Sequence, residues 1–308
     1  MLRGLFISLS QSNALRALAE GSSIGHRISS RFVAGTQIED VLRATRVVNQ
    51  SKMSVSIDNL GENVTNPAEA NASVQLYDEL LDQIAARKLN ANISLKLTHM
   101  GLDLDENLAY ENVTRLVAKA ASMSPPNFVR VDMEGSAYTQ RTLDFVRELH
   151  RHPENKRCVG VVIQSYMRRS QADVEQLLAD EIRIRLCKGA YKEPPETAFQ
   201  KKSEVDANYV TLIKTLLKSG VYHGLATHDP KMIEEAKSFA SREKIDRDSF
   251  EFQMLYGIRR DLQQQLVREG WRMRVYIPFG TEWYPYLMRR LAERPANILF
   301  IAKNLLRG

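Results

Sequence analysis

Short apolar, β-branched runs recur along the chain near Met53–Ile57, Asn92–Leu97, Phe128–Met133, Val159–Ile163, Arg183–Cys187, Gly224–Thr227, Phe250–Met254 and Met273–Ile277. Their length and composition are those of buried strands. Between them the apolar positions change to helical spacing, as in Tyr77, Leu80, Leu81 and Ile84, in Val113, Leu116, Val117 and Ala120, and in Leu212, Ile213, Leu216 and Leu217. Asn66-Pro67 and Asp229-Pro230 place a capping side chain before a first-turn proline, and Gly220 and Gly270 stand where helices should end. Eight strand-to-helix alternations predict a closed parallel barrel, the (βα)8 TIM-like arrangement of the α/β class. An open doubly wound sheet usually has fewer strands and a glycine-rich turn after the first. Here the first strand leads into Asp58-Asn59-Leu60-Gly61-Glu62, which is not a dinucleotide fingerprint.

Two stretches fall outside the eight repeats. Residues 1–45 carry helical patterns (Ala14–Ala19 and the start of Ile38–Val48) and are expected to pack on the outside or bottom of a barrel formed by residues 46–308. Ala296–Leu306 reads as a last amphipathic helix. At 308 residues and 44% hydrophobic, the chain is expected to form one large domain with small terminal additions.

The net charge of +6, from 43 basic and 37 acidic residues, is spread without a polybasic tail or an aromatic-basic repeat, so nothing points to nucleic acid. It permits contact with anionic lipid. Cys158 and Cys187 are too few for a disulfide framework and lack neighbours at metal-ligand spacing, so no metal is expected. Both read as buried strand residues in a reducing cytoplasm. Met1 to Gln11 is too short and too interrupted for a secretory segment, and no run of apolar residues is long enough to span a membrane.

A barrel concentrates its chemistry at the C-terminal ends of its strands. Those ends carry Lys96, Asp132, Glu134, Gln164, Arg185, Lys188, Tyr191, Thr227, His228, Gln253 and Tyr276. A single charge at a strand end is often structural. Inward Lys, Asp and Arg side chains cannot stay unpaired without a multi-kcal/mol cost, so they must satisfy one another or a charged ligand. The helix after the eighth strand contains Tyr286, Arg289, Arg290, Glu293 and Arg294, with positions 286, 289, 290 and 293 on one face. Arginine-rich helices are usually solvated faces. This one follows the last strand directly, so it is expected to lean over the mouth, where two guanidiniums suit a carboxylate.

The run from Tyr286 through Arg289, Arg290 and Glu293 to Arg294 resembles the signature of the proline dehydrogenase family. Other blocks match in order: Ile93–Leu97, Arg130–Glu134, Arg185–Tyr191, Thr227-His228, Phe252–Gly257 and Tyr276–Gly280, with Phe6–Ser10 and Ser30–Gly35 similar to the short bacterial members. The resemblance covers nearly the whole chain, and its length is similar to that of the one-activity enzymes, without the aldehyde dehydrogenase domain of the bifunctional ones.

The resemblance implies that FAD lies across the barrel mouth, contacted by Met133, Gln164, Lys188, Gly189, Ala190, Thr227 and His228. It implies that Arg185 lies beside the isoalloxazine, that Lys96, Arg289 and Arg290 hold the carboxylate of L-proline, and that Tyr191, Leu255 and Tyr276 shape the ring pocket. Asp132 is expected to anchor that pocket through a neighbouring cation or phenol. The implied reaction is hydride transfer from proline to flavin N5, giving pyrroline-5-carboxylate as the first step of proline catabolism. A quinone is the implied electron acceptor, reached by a cytoplasmic protein with peripheral contact at the inner face of the membrane. Two rivals remain at this level: a Schiff-base aldolase-type barrel using Lys96 or Lys188 as nucleophile, and a catalytically silent flavin or amino-acid sensor.

Overall fold

The computed structural model describes residues 29–293, together with the isolated positions 19, 22 and 25. Eight parallel strands close into a barrel in sequence order: β1 (Ser54–Asn59), β2 (Ala91–Leu95), β3 (Val129–Val131), β4 (Val159–Gln164), β5 (Arg183–Cys187), β6 (His223–Ala226), β7 (Phe250–Leu255) and β8 (Met273–Phe279). Pairing of β1 with β8, Ser56 opposite Tyr276, completes the ring. Strand ends differ from those predicted by a few residues. The third strand stops two residues short of its predicted end, at Val131, although the Asp132 amide still donates to the Leu95 carbonyl at 2.8 Å.

The described helices are α1 (Ile38–Gln50), α2 (Pro67–Ala86), α3 (Glu106–Ser122), α4 (Ser136–Arg151), α5 (Ser170–Ala179), α6 (Lys202–Lys218), α7 (Pro230–Arg242), α8 (Arg260–Arg268) and α9 (Trp283–Glu293). The predicted caps are in place: the side chain of Asn66 accepts from the Glu69 amide before α2, and that of Asp229 from the Lys231 amide before α7. Helix α1 buries Val41, Leu42 and Val48 against β1 and β8. The segment before it lies elsewhere than expected. Ala34 N donates to Pro278 O and Gly280 N to Gly35 O, so residues 34–35 run along the C-terminal end of β8. Phe32 and Val33 pack with Leu60, Trp283 and Leu287, which ties this segment to α9 at the mouth. Positions 14–18 of the helical pattern expected near the start, and the whole of the last expected helix at 296–306, lie outside the described residues.

Alternation along the strands divides the barrel into two chemistries. Val55, Ile57, Ile93, Leu95, Val129, Val131, Val161, Ile163, Ile184, Leu186, Phe252 and Val275 are buried apolar residues of one core cluster with the helices. The alternate positions include Ser56, Asp58, Asn92, Ser94, Arg130, Arg185, Glu251, Gln253, Arg274 and Tyr276, which fill the interior with polar groups where such barrels usually hold Val, Ile and Leu. Long inward side chains need space. A Cβ on Gly160 would stand 2.4 Å from Arg183 O and 2.7 Å from Arg130 Nη1, and one on Gly224 would stand 2.2 Å from Gln253 Nε2.

The two cysteines depart in part from the sequence expectation. Cys158 is buried but lies in the turn before β4, and Cys187 ends β5 half-buried.

Candidate active site

Arg185 organises the centre of the barrel. From β5 its guanidinium reaches four other strands or strand ends: Nε donates to Gln253 Oε1 (2.6 Å), Nη1 to Ser94 Oγ (3.1 Å) and Asp132 Oδ1 (2.7 Å), and Nη2 to Ser56 Oγ (3.0 Å). Asp132 is equally committed, since Oδ1 also accepts from Ser94 Oγ and Oδ2 accepts from Tyr276 Oη, both at 2.8 Å. Asp132 thus contacts both a cation, Arg185, and a phenol, Tyr276. Burial and the Asp132 carboxylate push the Tyr276 phenol well above its usual range, which keeps it protonated and donating. The Arg185 guanidinium also lies 5.1 Å from the Tyr276 ring centroid.

Lys96 follows β2 and pairs with Asp58 on β1 at 3.1 Å; their side chains are 12% and 2% exposed, so little water screens the pair. Burial alone would lower the Lys96 pKa, but the Asp58 and Asp132 carboxylates outweigh it and hold the group firmly as an ammonium. Burial dominates at Asp58, raising its carboxyl to about 6 against the opposing attraction of Lys96. Below that pH the ammonium loses its nearest counter-charge.

Around this centre the other predicted residues fall into smaller groups. Gln164 Nε2 donates to the carbonyls of Met133 (3.1 Å) and Glu134 (2.9 Å), while its buried Oε1 has no hydrogen-bond partner. Lys188 Nζ lies between Asp206 (2.5 Å) and Asp229 (2.8 Å). Gly189 and Ala190 are exposed, and Gly189 has φ +101° with the Tyr166 ring 2.2 Å from where a Cβ would be, so only glycine fits. Thr227 Oγ1 accepts from the Asp229 amide, and His228 Nε2 accepts from the Leu255 amide at 2.9 Å, which assigns the ring proton of neutral His228 to Nδ1. Tyr191 is 38% exposed, and Leu255 is half-buried at the end of β7.

Helix α9 places the Arg290 guanidinium 5.3 Å from the Tyr286 ring centroid. Arg289 stands next to it in the helix, but its side chain lies outside what the structure describes, as does that of Glu293. Among the described residues no group of three or more His, Cys, Asp or Glu is arranged to hold a metal ion.

Asp58, Ser56, Ser94, Asp206 and Asp229 escaped selection as site residues. The first was legible in principle: Ser54, Ser56 and Asp58 alternate with Val55 and Ile57, which marks one polar face of β1. The contacts made by the others join residues up to 129 positions apart, and no local spacing encodes them.

Residues 41–303 match the model of the family described as proline dehydrogenase. The chain is similar to proline dehydrogenase 2 of Bacillus subtilis, 40% identical over 304 residues that make up 98% of each chain. It is similar to proline dehydrogenase of Deinococcus radiodurans, 40% identical over 91% of each. Among solved structures it resembles proline utilization A from Bdellovibrio bacteriovorus inactivated by N-propargylglycine, with a TM-score of 0.81 and 27% identity. That match covers 87% of this chain and 32% of the longer one.

Proposed function

This chain belongs to the proline dehydrogenase family, of the monofunctional bacterial kind, and on that premise we propose that it oxidises L-proline to pyrroline-5-carboxylate with bound FAD and passes the electrons to a quinone. The observation that carries this reading is the part-buried network of Arg185, Asp132 and Tyr276 below a mouth that also holds the Lys96 ammonium.

The residues present fit the flavin. Gln164 keeps a buried oxygen without a hydrogen-bond partner, and Gly189, with φ +101°, turns an exposed stretch of backbone after β5 where a phosphate-bearing ligand could approach closely. With Met133, Thr227 and His228 they form the proposed flavin contacts. Lys188 would join them by exchanging one of its two carboxylate contacts for a phosphate. FAD, when bound, supplies the two-electron acceptor that no side chain provides.

The chain's own contribution is positioning and charge. Arg185 cannot swing away, because its three nitrogens each donate to a side chain, so a fixed positive charge faces the mouth. Lys96, Arg289 and Arg290 hold the proline carboxylate, while Tyr276, Leu255 and Tyr191 bound the ring. Asp132 serves as an anchor, since both its oxygens are spent on Ser94, Arg185 and Tyr276. Lys96 is disfavoured as a Schiff-base nucleophile, because it is held protonated.

Among the described residues no helix is long and apolar enough to cross a membrane. Delivery of electrons to a lipid-soluble quinone then calls for peripheral contact at the inner face of the membrane, which the net charge of +6 suits.

The test is conversion of L-proline by purified protein with added FAD and a water-soluble quinone, followed by mass spectrometry. A product two hydrogens lighter than proline, absent when FAD is removed, is expected. A colourless protein that cannot be reconstituted with FAD and forms no product would overturn the reading.

A further inference from the structure

The opposite end of the barrel holds a second polar cavity, of about 50 Å³. A cavity of roughly 10–15 Å³ holds one water, so the space takes a few waters or one compact ion. Its ceiling is the Arg185, Gln253 and Ser56 layer, and its walls come from the N-terminal ends of the strands, where Arg130, Arg183 and Arg274 converge. Four guanidiniums line it and no carboxylate does.

Two of those charges are already balanced. Arg274 pairs with Glu251 at 2.6 Å, and Arg185 with Asp132. Arg130 and Arg183 have no carboxylate partner among the described residues. Arg130 is only 5% exposed and spends Nη1 on two carbonyls, Val161 O (3.0 Å) and Arg183 O (2.6 Å). Both guanidiniums lie by the Phe128 ring, at 4.6 and 5.4 Å from its centroid. Burial first, and then the guanidiniums of Arg185, Arg183 and Arg274 against the pull of Glu251, drives the Arg130 pKa well down. Arginine does not readily give up its proton, and an unbalanced buried charge costs several kcal/mol. A counter-ion resolves both demands, and the half-buried rim of Phe128, Arg183 and Tyr222 leaves a route in from the bottom of the barrel.

We propose that this cavity is a binding site for one small inorganic anion, held between Arg130 and Arg183 and separated from the proline site by the Arg185 layer. The anion would act as a structural counter-charge. The site depends on charge and space at the barrel bottom alone, independently of the reading of the mouth.

The experiment is thermal unfolding of the flavin-loaded protein at constant ionic strength, with gluconate, too bulky for the cavity, replaced stepwise by chloride, bromide, phosphate or sulfate. A saturable rise in Tm is expected, about 4 °C at a hundredfold excess over Kd. Halides and oxyanions as separate arms show which the cavity takes. Arg183→Gln should abolish the rise while leaving kcat/KM for proline unchanged; if that variant does not fold, Arg183→Lys should weaken the apparent affinity at least tenfold. In crystals soaked in bromide, anomalous scattering should peak between Arg130 and Arg183. Equal Tm responses in wild type and the Arg183 variant, or a cavity that shows only water in bromide, would overturn the proposal.

Discussion

Asp132 accepts from three donors on three different strands, so its removal takes the counter-charge from Arg185 and the acceptor from Tyr276 together. Asp132→Ala is expected to lower kcat/KM for proline by orders of magnitude while the FAD content stays high; loss of soluble folded protein would instead assign Asp132 to the fold. At the helix over the mouth, Arg289 and Arg290 are consecutive positions, about 100° apart around the axis, so one carboxylate would meet both only if it lay between them. A charge-assisted hydrogen bond contributes about 1.5–3 kcal/mol, so Arg289→Met or Arg290→Met should weaken proline binding about tenfold to a hundredfold. Lysine should restore it only in part, since it offers a point charge in place of a fork. An unchanged proline KM in both variants would remove them from substrate recognition. The sequence identified the charged residues at the mouth because strand ends are easy to locate. It could not show that Lys96 pairs with Asp58 while Asp132 pairs with Arg185, because that choice is made by the closure of the barrel.

At the scale of elements, the polar interior rests on small residues that admit large ones. Gly160 on β4 lets Arg130 cross beneath it, and its missing Cβ would otherwise sit 2.4 Å from a backbone carbonyl that cannot move without disturbing β5. Gly160→Ala should cost roughly 1–3 kcal/mol, read as a fall of about 2–5 °C in Tm; an unchanged Tm would show that the strands have slack. The strands and helices themselves were legible, because each has an apolar face of the right period and capping residues at Asn66 and Asp229. The entry segment was not: residues 34–35 pair with the end of β8 through backbone atoms, which carry no sequence signal. Nor was the turn conformation of Cys158, an apolar residue directly preceding a strand and indistinguishable by pattern from part of it.

Across the whole molecule, buried histidines set the acid limit of stability. Burial, with the positive charges of Lys96 and Arg130 respectively, lowers His99 to about 4 and His223 to about 3. An unfolded histidine titrates near 6.5, so below that pH the unfolded chain binds protons that the fold refuses. Stability present above about 6.5 is therefore lost as pH falls towards 4, by up to about 1.4 kcal/mol per pH unit for each histidine. Asp58, raised to about 6, and Glu134, also raised by burial, oppose this, while His150, lowered by burial, adds to it, so three histidines stand against two carboxyls. Unfolding by urea at pH 7 and pH 5 should show the loss, and equal stability at both would contradict it. The proposed function requires that the mouth above the Arg185–Asp132 pair select an amino acid by its carboxylate. The most direct test is anaerobic stopped-flow bleaching of the bound flavin by L-proline and by pyrrolidine, which has the amine and lacks the carboxylate. Rapid bleaching by proline and slow bleaching by pyrrolidine is the expected result; no bleaching by proline, or equal rates with both, would contradict it.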